Sequence, residues 1–207
     1  MVMVPIMKAA ARPLAMAAAE AAGFAAATVV AAANVAAGNE RVTTGDMNEH
    51  EFRLFYSRTA RPLRAYLIGS SGNPSLADDL LQESYYRLLR SDFKAADENH
   101  RRNYLFRIAT NLLRDHYRRR RPEVAEFPDL PGDPGHGEAV DLRSDLQAVL
   151  GDLKPRDRQM LWLAYVEGHS HSEIAEALGL KTASIRPMLF RARQRMIGLM
   201  DEKGLAS

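Results

Sequence analysis

The sequence predicts an all-α fold: two small helical domains joined by an acidic, proline- and glycine-rich linker, the C-terminal one containing a helix-turn-helix. Three observations carry this expectation. Apolar residues recur at three- and four-residue spacing in successive segments from Glu49 onward. Residues 122–141 hold four prolines and three glycines among acids, a composition with little capacity for a core. Between His171 and Arg195, Ile174, Ala175 and Leu178 share one helix face, Gly179 stops that helix, and Ile185 and Leu189 return to the same small core. Ala175 is small where two helices cross, and Thr182 or Ser184 is expected to cap the second helix.

At 207 residues the chain can hold one large or two small domains, and 46% apolar content is enough for buried cores. There is no cysteine, which excludes disulfides and cysteine-based zinc sites and fits a reducing cytoplasm. The net charge of +2 conceals a strong segregation. Residues 101–121 carry eight arginines against Asp115, whereas residues 122–152 carry eight acids against Arg143. Adjacent blocks of opposite sign suggest surfaces with different partners.

Residues 1–46 are alanine-rich and of low complexity. Lys8 and Arg12 ahead of an apolar run suit a signal peptide, but Glu20 and Asn34 interrupt that run and alanine is weakly apolar. The segment is read as a loosely ordered extension, with Met47 opening the first domain. Phe52, Phe55, Tyr56, Leu63 and Leu67 then suit an amphipathic helix, bent where Pro62 removes a donor. The breaker Gly69-Ser70-Ser71-Gly72-Asn73-Pro74 follows, and Ser75 is expected to cap a second helix with Asp78 and Asp79 in its first turn. That helix turns Leu80, Ser84, Tyr85 and Leu88 inward and leaves Asp79, Gln82, Glu83, Tyr86 and Arg87 outside. A third helix, beginning near His100, takes apolar contacts from Tyr104, Leu105, Ile108, Leu112 and Leu113. Its Asn111, Asp115 and Arg118 recur at helical spacing, and Tyr104, Phe106 and Tyr117 interleave with arginines. Rings that stack on unpaired bases beside guanidinium groups that hold phosphates suit single-stranded nucleic acid, at about 1–3 kcal/mol per stacked base. Beyond the linker, helices are expected over Leu142–Leu153 and Arg156–Gly168, ahead of the helix-turn-helix.

Three stretches together resemble a bacterial RNA polymerase sigma factor of the extracytoplasmic-function (ECF) type. ADDLLQESYYRLL, residues 77–89, is similar to the family helix that docks on the polymerase clamp; YLFRIATNLLRDHYRRRR, 104–121, to its promoter-melting and minus-10-reading segment; and residues 153–193 to its minus-35-binding domain. The resemblance implies a region 2-like domain over 47–121, a flexible acidic linker over 122–141 threading polymerase channels, a region 4-like domain over 142–200 and a tail over 201–207. It further implies core-polymerase contacts at Asp79, Leu80, Gln82, Glu83, Tyr86 and Arg87; minus-10 contacts at Tyr104, Arg107, Asn111, Arg114, Asp115 and Arg118; and minus-35 contacts at Lys181, Thr182, Ser184, Arg186, Arg191 and Arg193. Tyr104 stands where the family commonly has tryptophan. Pro187 stands within the recognition helix where a small polar residue is usual, and predicts a kink or a tightened first turn.

The function implied is a non-enzymatic, cytoplasmic initiation subunit, nucleoid-associated when bound to polymerase. Its partners would be core RNA polymerase, promoter DNA and an anti-sigma factor, with no cofactor and no membrane insertion. Two rivals are a helix-turn-helix regulator that binds an operator without polymerase and a sigma-mimicking decoy that titrates an anti-sigma factor; the decoy has no need of so many DNA-facing cations. No acidic metal constellation of convincing spacing supports an enzyme, and His169 and His171 are expected to be solvated or capping rather than metal-binding.

Overall fold

In a computed structural model, residues 47–119 and 148–205 are described; the expectations for 1–46, 120–147 and the last two residues lie outside them. The ordered elements are α1 (Glu49–Ser71), α2 (Pro74–Leu89), α3 (Glu98–Arg119), α4 (Pro155–Tyr165), α5 (His171–Leu178) and α6 (Thr182–Glu202). Residues 148–152, directly before α4, are also helical. No β-strand appears among the described residues.

Helix α1 starts in a reciprocal cap. The Asn48 side chain accepts from the Glu51 N–H at 3.0 Å and the Glu51 carboxylate accepts from the Asn48 N–H at 2.8 Å. The helix continues through Pro62 to Ser71 and ends at Gly72, whose φ of 68° returns the chain into α2. Two initiation expectations are corrected here. The cap of α2 is Asn73, which accepts from the Leu76 N–H at 3.0 Å, rather than Ser75; Pro74 takes the first helical position, where its missing N–H costs nothing. Helix α6 starts at Thr182 after Lys181, with no side-chain cap from either Thr182 or Ser184. Instead the Ser184 N–H bonds the Lys181 carbonyl at 2.9 Å, a tight i→i+3 closure of the first turn, and the helix then passes through Pro187 unbroken.

Helices α1–α3 form one bundle, built around Phe52, Tyr66, Leu67, Tyr85, Leu105 and Phe106, all at most 2% exposed. Two buried hydroxyl pairs pin its aromatic core: Tyr85 with Thr59 at 2.7 Å and Tyr66 with Thr110 at 2.8 Å. Because α2 starts at Pro74, Asp78 and Asp79 fall in its second turn rather than the expected first; there Asp78 accepts from the Arg64 guanidinium of α1 with both oxygens, a two-point pairing that fixes the helices in register. Helices α4–α6 form the second bundle around Met160, Leu161, Leu163, Ile174, Ile185, Ala192 and Met196. Within it Ser170 and Glu173 cap α5 reciprocally, and Gly179 (φ 64°) makes the left-handed turn that the sequence assigns to it.

The two bundles pack against each other and their buried residues are continuous. Helix α4 lies on α1 and helix α5 lies on α3. The closest approach is at Gly69, where a β-carbon would fall 2.5 Å from the fully buried Trp162 ring. Beside it the Arg158 guanidinium donates to the carbonyls of Leu153 (3.0 Å), Gly151 (3.2 Å) and, across the interface, Ser70 (3.4 Å).

A candidate nucleic-acid interface

Helix α3 presents two faces. On one, Tyr104, Asn111, Asp115 and Arg118 follow at spacings of seven, four and three residues and remain at least partly open. Arg118 is 76% exposed on its side chain and lies 3.5 Å from Asp115. At the start of this face the Tyr104 ring stacks on Phe93, with centroids 3.7 Å apart and planes within 5°. The Arg107 guanidinium lies 4.7 Å from the centre of the same tyrosine ring, and His100 meets Phe93 edge-on at 4.8 Å. Parallel rings backed by guanidinium groups can take a base by stacking while holding its phosphate.

The adjoining edge of α3 is occupied. Arg102 pairs with Glu167, Asn103 donates to Glu173 and Arg107 pairs with Glu176. Arg114 approaches Gly179 and also donates to Asn111 at 3.0 Å. Glu167 is the most enclosed of these acids: its side chain is 4% exposed and accepts from the Trp162 indole N–H at 3.1 Å as well as from Arg102. Burial raises its pKa, with Arg102 and the indole opposing.

Helix α6 carries the other basic surface. Thr182, Arg186, Phe190 and Arg193 follow one another by four, four and three residues along one stripe, and Lys181 precedes it. Ile185, Leu189 and Ala192 hold the adjoining side in the core, so the stripe runs along the margin of the buried face, with Thr182, Arg186 and Phe190 exposed and Arg193 half-buried. Ser184, Pro187 and Arg191 lie along its flank, and Arg191 Nε donates to the Pro187 carbonyl at 3.3 Å. On α2, Asp79, Gln82 and Arg87 are exposed and Glu83 and Tyr86 half-buried, with Arg87 bonded to Glu83 at 2.6 Å. Leu80, placed with them on the strength of resemblance, is only 8% exposed and packs in its own bundle.

Two family models match the chain: Sigma-70 region 2 over residues 55–123 and Sigma-70, region 4 over residues 143–196. The ECF RNA polymerase sigma factor EcfG of Rhodopseudomonas palustris is 33% identical over 150 residues, covering 69% of this chain and 81% of the relative. The chain belongs to the ECF family of RNA polymerase sigma factors. Among solved structures, the sigma factor RpoE in complex with the anti-sigma factor NepR from Bartonella quintana shares the fold. Its TM-score is 0.61 at 21% identity, over 72% of this chain and 96% of that one. CnrH in complex with the cytosolic domain of CnrY gives 0.56 at 26%, over 77% and 93%.

The geometry of this sigma factor revises the sequence reading of individual side chains. Phe106, one of the three aromatics assigned to base stacking, is fully buried and unavailable. Tyr117 is half-buried, its hydroxyl 3.4 Å from the Ser71 carbonyl. His169 is neither solvated nor capping: it is 7% exposed and meets Phe106 edge-on at 5.3 Å, while Ser170 does the capping. His171 is exposed in the first turn of α5. Two aromatics were missed. Phe93 lies in the loop before α3, where helical periodicity carries no information, and Phe190, 54% exposed, passes in sequence for a core residue of α6.

Proposed function

We propose that this sigma factor directs promoter recognition, melting and transcription initiation with a division of labour between its two bundles. The observation that carries this is the stripe of α6, Lys181–Thr182–Arg186–Arg193, held beside a helix-turn-helix core with Lys181, Thr182 and Arg186 exposed. Lys181, Thr182, Ser184, Arg186, Arg191 and Arg193 meet minus-35 duplex, with Lys181 and Arg186, near the helix start, reading base edges and the later arginines holding phosphate. Tyr104, Arg107, Asn111, Arg114, Asp115 and Arg118 engage the minus-10 element, with Phe93 as an additional stacking ring. Asp79, Gln82, Glu83, Tyr86 and Arg87 dock on core polymerase; Leu80 supports that surface from beneath.

In this reading residues 47–121 and 142–200 are the two working domains, 122–141 is the linker that sets their spacing and 1–46 an extension. The chain has no catalysis of its own and acts in the cytoplasm, on the nucleoid when bound to polymerase. No helix among the described residues is long and apolar enough to cross a membrane. The anti-sigma proteins bound to related chains support an anti-sigma partner here as well. Run-off transcription with sigma-free core polymerase and a genomic promoter library tests the proposal: promoter-specific transcripts are expected. Occupancy of duplex operators by the protein alone, without transcripts, would favour a conventional regulator.

A further inference from the structure

One cation that the proposed function gives to DNA, Arg107, is in this structure paired with the chain's own Glu176, and its neighbours Arg102 and Asn103 are engaged in the same way. Arg102, Asn103 and Arg107 recur along one edge of α3, and Glu167, Glu173 and Glu176 meet them in the same order from the turn before α5 and from α5 itself. Carboxylates and phosphates engage the same guanidinium donors with the same geometry. Arg114 continues the edge and abuts the Gly179 turn.

Ion pairs with partners this exposed (Arg107 35%, Glu176 54%) are weak alone, so they cannot be what holds the bundles together. The apolar contacts beside them can. Trp162 is fully buried with its ring against the bare α-carbon of Gly69, and His169 packs against Phe106. Glu167 links the two kinds of contact by taking both the Trp162 indole N–H and Arg102.

We propose that the C-terminal bundle closes the N-terminal one by presenting carboxylates to the minus-10 helix, a self-closed state that one chain adopts without any second protein. Closure partly covers Arg102, Asn103 and Arg107 and leaves Arg114, and Lys181, Thr182 and Arg186 of α6, exposed. Nucleic acid on α3 therefore competes with Glu173 and Glu176, and its apparent affinity is reduced by the fraction of chains that are closed. The role given to α3 rests on the proposed function; the closure itself does not.

The chain lacks cysteine, so Ser57→Cys on α1 and Glu202→Cys at the end of α6, both exposed, allow a pair of probes to report the inter-bundle distance in the full chain. One short, narrow distance is expected for the protein alone. Gly69→Ala drives a methyl group into the indole without altering any charge, and Glu176→Gln removes one carboxylate from an exposed position. Each should lengthen and broaden the distance. Binding of a fluorescent single-stranded DNA oligonucleotide should tighten about tenfold for Gly69→Ala and about threefold for Glu176→Gln. A long, broad distance in the unsubstituted chain overturns the proposal, as does an unchanged distance in both variants. A short distance with unchanged oligonucleotide affinity in both variants overturns the masking. Run-off transcription by the same proteins separates the two readings: transcripts without closure reject closure alone, and closure without transcripts rejects the sigma-factor assignment of α3.

Discussion

His169 offers a quantitative test of the inter-bundle contact. The ring is 7% exposed, neither ring nitrogen has a hydrogen-bond partner, and its closest aromatic neighbour is Phe106 of the other bundle. Burial, with the Arg102 guanidinium as the next contributor, pulls its pKa from 6.5 down to about 4, and Glu173 opposes only in part. The closed chain therefore binds fewer protons than the open or unfolded chain between those two values, and stability rises with pH across that window. The contribution is complete above pH 6.5 and is lost as pH falls towards 4. At 1.36 kcal/mol per pKa unit the full loss is about 3 kcal/mol, of which about 1.4 has gone at pH 5.5 and about 2.6 at pH 4.5. Glu167, whose pKa is raised by burial, works in the opposite sense, favouring the closed chain as pH falls through its raised value towards 4.5. Comparing urea unfolding of the unsubstituted chain with His169→Phe from pH 7.5 to 4.5 cancels the Glu167 contribution, which both proteins share. The difference in unfolding free energy between the two should change by about 2–3 kcal/mol over that range. Parallel pH profiles would refute the argument that this imidazole is held neutral between the bundles.

Other outcomes follow from the same geometry. Gly179→Ala puts a side chain at φ 64° and should destabilise the C-terminal bundle by about 1 kcal/mol, whereas Gly198→Ala, inside α6 with nothing within 4 Å of the new carbon, should stabilise it by about 0.5–1 kcal/mol; thermal melts of the two variants should move in opposite directions. Pro187→Ser restores a backbone donor in the recognition helix and should change minus-35 preference in a promoter-library selection with holoenzyme, with little loss of overall transcription. Arg193→Ala should weaken holoenzyme binding about equally across promoters and lower its salt dependence by about one unit of slope, while Arg186→Ala should cost about 1–3 kcal/mol on preferred sequences only. Phe93→Ala should reduce promoter opening, read by permanganate footprinting, while leaving minus-35 binding unchanged.

What was legible in the sequence is what short-range rules decide. The helix-turn-helix could be read because Gly179, Ala175, Ile185 and Leu189 each answer a local demand: a left-handed turn, a close crossing and one apolar face. The cap of α2 was misread because serine is a good cap in isolation, although Asn73-Pro74 spells the same start one step earlier, with proline already occupying the first helical position. The roles of Phe106 and His169 could not be read at all. Helical spacing shows that Phe106 and Tyr104 face apart, but which of the two faces meets another body depends on how α5 docks on α3, and that is set by residues about seventy positions away. Phe93 escaped for a different reason: a ring in a loop has no period to betray it, and only the fold brings it into a parallel stack on Tyr104.

That stack also constrains how a nucleobase could enter. Two rings 3.7 Å apart leave no slot between them, so an incoming base adds a layer on the outside of the pair rather than parting it. A flat ring face is offered alike to every base. Whatever preference the seat has for one letter over the rest must then come from the edges of the incoming ring, where polar groups such as Asn111 can tell letters apart, and not from the stickiness of its faces.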